Sequence, residues 1–191
     1  MKKLMLLAAV AVFGFTTMNA QEVKFGAKAG LNLASIGGDD VSDLKSRTAF
    51  HIGAVAEIGI SDKFAVQPEL LYSAQGAKAD QGDGEIKLDY ISIPVMAKYM
   101  VADGFAIEAG PQVGILASAK LDDGTDEVDV KDEVSGIDFG VGLGASYRLE
   151  SGLNFAARYN LGLSNINDFE GSDNFKNQNN VFQISVGYFF N

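Results

Sequence analysis

The chain has 191 residues, 47% of them hydrophobic, with 22 Gly, 3 Pro, no Cys and no Trp. This length accommodates one domain or two small ones, and the composition excludes disorder and collagen. Fifteen basic against 25 acidic residues give a net charge of -10, which leaves no basic stripe for nucleic acid. The absence of Cys and the single His exclude disulfides, thiolate metal clusters and most imidazole chemistry.

The first twenty residues have the pattern of a secretory signal peptide. Met1-Lys2-Lys3 supplies a positive start, residues 4–15 form an unbroken apolar or small-residue run, and Ala20 closes the segment. The run is too short to span a bilayer as a helix. We therefore expect residues 1–20 to direct export and residues 21–191 to form the mature domain.

From Val23 onward the chain alternates apolar residues with polar or small ones at a period of two, which indicates β-strands with two unlike faces. The alternation predicts eight strands, at residues 23–33, 50–60, 64–73, 88–99, 105–119, 136–147, 153–163 and 181–190. Three connections are tight, at residues 61–63, 100–104 and 148–152. Four are long and polar, at residues 34–49, 74–87, 120–135 and 164–180.

This arrangement is typical of an outer-membrane barrel, because short turns share one rim, long loops share the other, and the strand number is even. The apolar face of the strands carries no charge and no Gly, whereas the opposite face holds half of the 22 glycines. An eight-stranded barrel is too narrow to hold the large apolar set inside, so that set must face lipid. We predict an all-β, eight-stranded antiparallel up-and-down transmembrane β-barrel in the bacterial outer membrane, with both termini periplasmic.

Aromatic residues and prolines have particular positions in these strands. Seven aromatic residues near the short-turn ends are expected to form a girdle at the lipid interface: Phe64, Tyr99, Phe105, Tyr147, Phe155, Tyr188 and Phe190. Pro68, Pro94 and Pro111 lie inside predicted strands, where each removes a ladder donor. We expect bulges or local breaks at these prolines.

Several short motifs resemble those of a known family. They are GAKAGLN at residues 26–32, LDYISIP at 88–94, GP at 110–111, DFG at 138–140, RYNLGL at 158–163 and GYFF at 187–190. In order and spacing they resemble the PorT-like outer-membrane β-barrel family of Bacteroidetes-type envelopes, from about Val23 to Phe190. The resemblance implies a barrel that carries its in-strand prolines as family features and has no common catalytic set. Some relatives are implicated in protein secretion or gliding machinery.

Nine charged residues fall on the inner face of the predicted strands: Lys24, Lys28, Glu57, Glu69, Lys98, Glu108, Asp138, Arg148 and Arg158. Unpaired charges in so narrow a lumen would be costly, so we predict one salt-bridge network that closes it. The alternative is an ion or proton path along a continuous water column. An acid-base role for Glu57 and Glu69 is disfavoured, since no cleft or nucleophile adjoins them.

His51 lies on the inner face near the predicted long-loop rim, at the same end as Ser35, Ser42, Ser46 and Ser73. Some small outer-membrane barrels are lipid-modifying enzymes that use a His with a Ser. Such chemistry needs groups near the lipid face, and His51 points the other way. We therefore predict a hydrogen-bonded rim histidine and no catalytic residue.

The third long loop is strongly acidic. Its carboxylates at Asp122, Asp123, Asp126, Glu127 and Asp129 could bind a divalent cation through oxygen ligands. Their spacing does not match the helix-flanked calcium loop, so a solvated acidic loop is the favoured interpretation.

These features favour a structural or interaction protein that presents four long surface loops to lipopolysaccharide or to an envelope or secretion protein. A narrow porin-like pore or an accessory of a transport or secretion system is the first alternative. A lipid-modifying enzyme is the second, and a soluble lipocalin-like carrier with its apolar face inside is the third. No cofactor, metal or nucleic-acid partner is predicted.

Overall fold

The structure, a computed structural model, describes residues 22–39, 41–169 and 175–190. Its strands are β1 Val23–Gly38, β2 Leu44–Gly59, β3 Phe64–Ala79, β4 Glu85–Ala102, β5 Phe105–Asp122, β6 Glu127–Asp129, β7 Ile137–Arg148, β8 Leu153–Gly162 and β9 Asn177–Phe190. A 3-10 turn covers Lys131–Glu133. The predicted signal peptide and part of the fourth predicted loop lie outside the described residues. Within those residues, no helix has the length and apolarity needed to cross a membrane.

Eight of these strands close into an antiparallel barrel. Each strand pairs with its neighbours in chain order, β5 passes directly to β7, and β1 pairs with both β2 and β9. Pairing of β4 with β5 completes the ring, while the three-residue β6 folds back onto the end of β5. Closure leaves no free strand edge among the eight, which is the condition for a sheet within hydrocarbon. The predicted fold class is confirmed.

The outer face of the barrel is apolar. Leu31, Phe50, Leu70, Leu143 and Ile184 are all more than half exposed to the surroundings, and none of them has a place in the interior. The seven residues of the predicted aromatic girdle also lie on the outer face. Phe64 and Tyr99 pair across β3 and β4 there, with ring centroids 4.9 Å apart. The direction assigned to the apolar face is therefore correct, and the lipocalin-like alternative, which requires it inside, is wrong.

Two of the four predicted long loops are wrong in extent. The connection between β1 and β2 shortens to residues 39–43, and that between β3 and β4 shortens to residues 80–84. Pairing continues through the polar segments, for example between Ala34 and Arg47 and between Lys78 and Glu85. Ladder hydrogen bonds join backbone groups, so a strand continues past the membrane even where the apolar alternation has ended. The connections at residues 123–136 and 163–176 remain long.

The prolines produce local breaks, as predicted, but no bulges. The ladder between β2 and β3 is interrupted at Pro68, that between β3 and β4 at Pro94 and that between β4 and β5 at Pro111, with the same antiparallel register on both sides of each gap. Register shifts occur instead between Ser46 and His51, between Asp89 and Tyr90, and between Met100 and Ala102. A proline removes one donor but accepts an extended backbone, so the strand continues past it without an extra residue.

The short turns join strands at residues 60–63, 103–104 and 149–152. Gly104 and Gly152 hold φ angles of 73° and 90°, in the left-handed region that residues with a Cβ rarely adopt. These glycines allow the chain to reverse tightly. Because the eight barrel strands alternate in direction, both described chain ends, at Glu22 and Phe190, lie on this short-turn rim.

Candidate functional site

The centre of the lumen is an ionic cluster. Arg158 donates hydrogen bonds to both carboxylate oxygens of Glu69, from Nη1 to Oε2 at 3.0 Å and from Nη2 to Oε1 at 2.7 Å. Its Nε also donates to Glu108 Oε1 at 2.9 Å. Lys28 Nζ donates to Glu69 Oε2 at 2.9 Å. All four side chains are buried, so their charges are compensated almost entirely by one another.

A second ionic cluster lies closer to the short-turn rim. Glu57 accepts hydrogen bonds from Lys98 Nζ at 2.8 Å and from Arg148 Nη2 at 2.5 Å. Gln67 joins this cluster to the central one, because its Nε2 donates to Glu69 Oε1 at 2.6 Å and its Oε1 accepts from Lys98 at 3.0 Å. Seven charged residues and one neutral amide therefore form a single connected network across the lumen.

The structure brings together seven of the nine inner-face charges that the sequence singled out and leaves two apart. Lys24 lies at the short-turn rim and forms a longer contact, 3.4 Å, with exposed Glu22. Asp138 lies on the long-loop side, where it accepts a hydrogen bond from Ser164 Oγ at 2.5 Å. Gln67 was missed as a network member because it is uncharged, although its inner-face position two residues before Glu69 was a usable signal.

A cavity of about 420 Å³ opens at the short-turn rim and ends at the ionic network. Glu57 and Arg148 form its inner boundary, and Lys24 and Asp62 lie toward its mouth. The guanidinium carbon of Arg148 lies 4.6 Å from the centroid of the Phe189 ring, a cation-π arrangement that fixes this boundary.

The inner-face glycines make room for the charged side chains. A Cβ added to Gly142 would lie 2.7 Å from Asn160 Oδ1 and 3.2 Å from the Cδ of Arg158. A Cβ on Gly30 would lie 2.8 Å from the His51 ring. An eight-stranded barrel has little interior volume, so large residues on one strand require very small ones opposite. This explains why so many glycines share a face with the charges.

His51 lies deep in the lumen, not near a rim as predicted, because β2 continues to Leu44 beyond it. Its side chain is fully buried, with Nδ1 2.7 Å from Asn32 Oδ1 and Nε2 2.9 Å from Ser185 Oγ. The serine partner is thus Ser185 on β9, not one of the four serines near the predicted rim. Asn32 also bonds Ser73 at 3.0 Å.

Serine, histidine and an amide in this order resemble a hydrolase triad, but their surroundings differ from those of an active site. Ser185 is 3% exposed and Asn32 is fully buried. Gln183 donates to Asn32 Oδ1 at 2.9 Å and fills the neighbouring space. The cavity at the short-turn rim is not lined by any of these residues. The arrangement is that of a packed polar layer between the ionic network and the long-loop end.

The long-loop end of the lumen is filled by apolar side chains. Leu88, Tyr90 and Leu116 form a buried cluster there with Ile36 and with Ile166, which reaches in from the connection between β8 and β9. Ser135 N donates to Ile166 O at 2.8 Å and holds this connection over the opening. The sequence interpretation missed this cap, although bulky apolar residues on the inner face at positions 88, 90 and 116 were its signal.

The acidic third loop forms a hairpin of β5 and β6 beyond the apolar outer face of the barrel. Lys87 donates to Asp122 at 2.6 Å and to Glu127 at 2.7 Å, and Lys120 donates to Glu127 at 2.7 Å. These bonds, from Lys120 first and Lys87 second, hold the pKa of Glu127 below its usual range. The hydrogen bond from Lys87 likewise lowers the pKa of Asp122.

The other predicted cation ligands are also engaged elsewhere or stand apart. Asp123 Oδ1 accepts hydrogen bonds from the backbone amides of Thr125 and Asp126, each at 2.8 Å, and these bonds lower the Asp123 pKa. Asp129 caps the amide of Lys131 at 2.9 Å. In the part of the chain that the structure describes, no three carboxylate or imidazole groups converge as a metal site. In this loop, Lys87 and Lys120 pair with Asp122 and Glu127, two of the five carboxylates that the sequence offered as ligands for a divalent cation.

Comparisons with known proteins agree with the closed barrel and its apolar outer face. Residues 19–168 match the family model described as "Outer membrane protein beta-barrel domain". The chain belongs to this outer membrane protein β-barrel domain family. It is therefore an outer-membrane barrel, in agreement with its lipid-facing belt. No curated protein sequence matches it.

Solved structures of outer-membrane proteins share this barrel fold. Neisserial surface protein A superposes with a TM-score of 0.57 at 15% identity, over 90% of this barrel and 100% of that chain. Ail, the attachment invasion locus protein of Yersinia pestis, gives 0.57 at 14% identity, over 88% and 99% of the two chains. Ail in complex with the heparin analogue sucrose octasulfate gives 0.53 at 11% identity, over 88% and 99%. At these identities the likeness shows the fold alone.

Proposed function

We propose that this barrel is a structural or interaction protein of the outer membrane whose lumen does not conduct and whose long-loop rim contacts a partner. The observation that carries the proposal is the double closure of the lumen. The seven-charge network fills its centre, and the apolar cluster around Leu88 and Ile166 fills its long-loop end. A sealed barrel offers its surroundings chiefly its rims.

The chemistry of the long-loop rim favours a partner with positive charge. Carboxylates at Asp39, Asp43, Asp80, Asp83 and Asp168 lie in or next to its connections, in addition to the acidic hairpin. Such a rim repels bare phosphate groups and attracts basic protein surfaces. Lipopolysaccharide is a partner of this rim only if divalent cations bridge its phosphates to the carboxylates. The sequence resemblance to the PorT-like family supports an envelope or secretion protein as the partner.

The proposal places the long-loop rim outside the cell and both termini in the periplasm, after export directed by residues 1–20. Because the chain has no Cys, single cysteines give an unambiguous test. Asp126→Cys lies in the long connection and Asp62→Cys in a short turn. A membrane-impermeant maleimide should label intact cells of the first variant only. Labelling of the second variant alone would show that the barrel has the opposite orientation in the membrane.

Crosslinking in cells tests the partner. A photoreactive residue at position 126 should capture an envelope component, and the same residue at position 62 should not capture it. A second barrel carries the photoreactive group at position 132. Capture of a basic protein by this barrel should be abolished when Asp123, Asp126 and Asp129 are replaced by Asn. Capture of lipopolysaccharide that a chelator abolishes would indicate the cation-bridged partner instead. Capture unaffected by the substitutions and by chelation would contradict a role for the acidic rim.

The pore alternative is opposed by the same closure of the lumen. We expect no single-channel current from the wild-type barrel in a planar bilayer. Arg158→Ala removes the residue that joins Glu69 to Glu108 and is the most direct way to open the centre. A current in the wild-type barrel that changes with this substitution would favour the pore or transport-accessory role.

The enzyme alternative is opposed by the burial of Ser185 and His51. We assign no catalytic residue and no cofactor to this barrel. Expression of the wild type and of His51→Ala should leave the lipid A profile of the cell identical. A lipid A species present with the wild type and absent with the variant would support the enzyme role.

A further inference from the structure

A second cavity, of about 220 Å³, opens at the long-loop end above the apolar cluster. Its floor is formed by Ile36, Leu88 and Ile166, which belong to the buried cluster. Its walls include Leu121 and Phe169, which remain nearly half exposed. This apolar surface lies within an otherwise polar rim. Small-molecule sites are typically concave and lined mainly by apolar side chains with a few polar groups.

The volume of the cavity limits the size of the ligand that it can hold. Apolar cavities of about 150 Å³ lined by Leu, Ile and Phe stay dry and bind small hydrocarbons. A cavity of about 220 Å³ therefore accommodates part of one alkyl chain, whereas drug-sized ligands occupy about 300–1,000 Å³. The ligand enters from the rim, since the lumen below the floor is closed by the polar layer and the ionic network.

The polar residues of the wall select the head group. Glu133 lines the cavity, and within the described residues its carboxylate has neither an ion pair nor a hydrogen bond. The adjacent basic residue, Lys131, directs its ammonium to the carbonyl of Ala117 at 2.9 Å. Asp132 precedes Glu133 in the chain and adds a further negative charge. An ammonium group beside Glu133 would be stabilised, and a carboxylate there would be repelled.

The mouth is also held in place before any ligand binds. Asp168 N donates to Glu133 O at 2.9 Å, and Val134 pairs with Asn167 as an isolated bridge. These bonds tie the two long connections to each other at the wall of the cavity. A ligand therefore binds without first ordering these segments, which lowers the entropic cost of binding.

We propose that this cavity binds a single-chain cationic amphiphile, with the alkyl chain on the apolar floor and the ammonium group beside Glu133. The proposal goes beyond the proposed partner role and does not depend on it. Fatty acids, neutral alcohols and nonspecific partition into the bilayer are the competing outcomes of the test.

The absence of Trp from the chain allows a specific fluorescence test. Phe169→Trp places one reporter in the cavity wall, and Ile137→Trp places a matched reporter on the lipid-facing surface. Each barrel is reconstituted in zwitterionic nanodiscs and titrated with terminally brominated dodecylammonium, dodecanoate or dodecanol, whose bromine quenches Trp on contact. We expect saturable quenching of the cavity reporter by the ammonium compound, with about tenfold weaker binding of the carboxylate.

Two variants in the Phe169→Trp barrel identify the contacts. Glu133→Gln should remove the preference for ammonium over carboxylate while leaving dodecanol binding unchanged. Val130→Phe and Val134→Phe, each of which fills the cavity from its wall, should abolish saturable quenching by all three compounds. A heat-dependent gel shift verifies that each variant is folded.

Equal, non-saturable quenching of the two reporters would show bilayer partition alone and overturn the proposal. Saturable quenching that both Val variants leave intact would overturn the cavity as the site. Tighter binding of dodecanoate than of dodecylammonium would overturn the assignment of the head group. Failure of the rim to capture a partner in cells would affect the proposed function and leave this result unchanged.

Discussion

Arg158 on β8 and Glu69 on β3 form a two-point hydrogen-bonded ion pair across the centre of the barrel, at 2.7 and 3.0 Å. The two residues are 89 positions apart in the chain, and both are almost completely buried. Each depends on the other for compensation of its charge, because the low-dielectric interior offers little alternative solvation. The strands that carry them are not neighbours in the sheet, so the pair fixes opposite walls of the barrel.

Glu69→Gln should strongly destabilise the barrel. The substitution leaves Lys28 without its ion pair and removes the bidentate acceptor of Arg158. Loss of one partner of a buried ion pair costs about 3–5 kcal/mol. Urea unfolding in lipid vesicles should show this loss of unfolding free energy. The matched control, Glu150→Gln in an exposed short turn, should change it by less than about 0.5 kcal/mol.

Gly110→Ala should prevent assembly of the barrel. An added Cβ on Gly110 would overlap the carbonyl oxygen of Val95 on the neighbouring strand, and backbone cannot move aside cheaply. At Gly59, the nearest atom to an added Cβ is Glu22 O at 3.6 Å, an ordinary contact. Gel mobility of unheated samples should therefore show folded Gly59→Ala and little or no folded Gly110→Ala. Equal folding of both variants would contradict the close approach of β4 and β5.

The acidic hairpin should loosen on acidification. The pKa values of Asp122 and Glu127 are lowered by the lysines that bind them, so their stabilising effect is present above the ordinary carboxylate range. It is lost as the pH falls below the ordinary carboxylate range and through the lowered pKa values of these two groups. The methyl resonances of Val128 should report this transition, while those of Leu143 on the lipid-facing surface should not move. Added salt should shift the transition, since these charges are exposed.

Ile166→Asp should open the long-loop end without unfolding the barrel. Ile166 is 4% exposed within the apolar cluster, where a carboxylate would be poorly solvated. The connection at residues 163–169 should detach, and the amide of Ser135, which donates to Ile166 O, should exchange faster with solvent. The heat-dependent gel shift should remain. Loss of that shift would mean that the cap supports the barrel itself.

The fold was predictable because alternation with a period of two reports the two faces of each strand directly. The inner direction of Glu69 and Arg158 followed from narrow barrel geometry, whereas their pairing required the register between strands. The extent of β2 could not be predicted, because its segment from Lys45 to Thr48 is polar on both faces. Alternation disappears there although the backbone ladder continues.

The caps of the lumen were harder to predict for a related reason. Ile166 lies in a connection without periodicity, so nothing local indicates that it folds back into the barrel. The sequence places His51 near a rim because the apolar alternation of its strand begins at residue 50. Its actual partners, Asn32 and Ser185, come from distant parts of the chain. Contacts set by barrel closure are not encoded in any short window of sequence.

One face of each strand meets lipid while the other meets a packed lumen. Relaxation of methyl protons in the unsubstituted barrel by dissolved oxygen and by a soluble nickel chelate tests this arrangement, at Val141 and Leu143 on the outer face and at Val55 and Met96 in the lumen. We expect strong relaxation by oxygen at Val141 and Leu143, and weak relaxation by both reagents at Val55 and Met96. Strong relaxation by the nickel chelate at the two inner residues would show a water-filled lumen and contradict the packed interior.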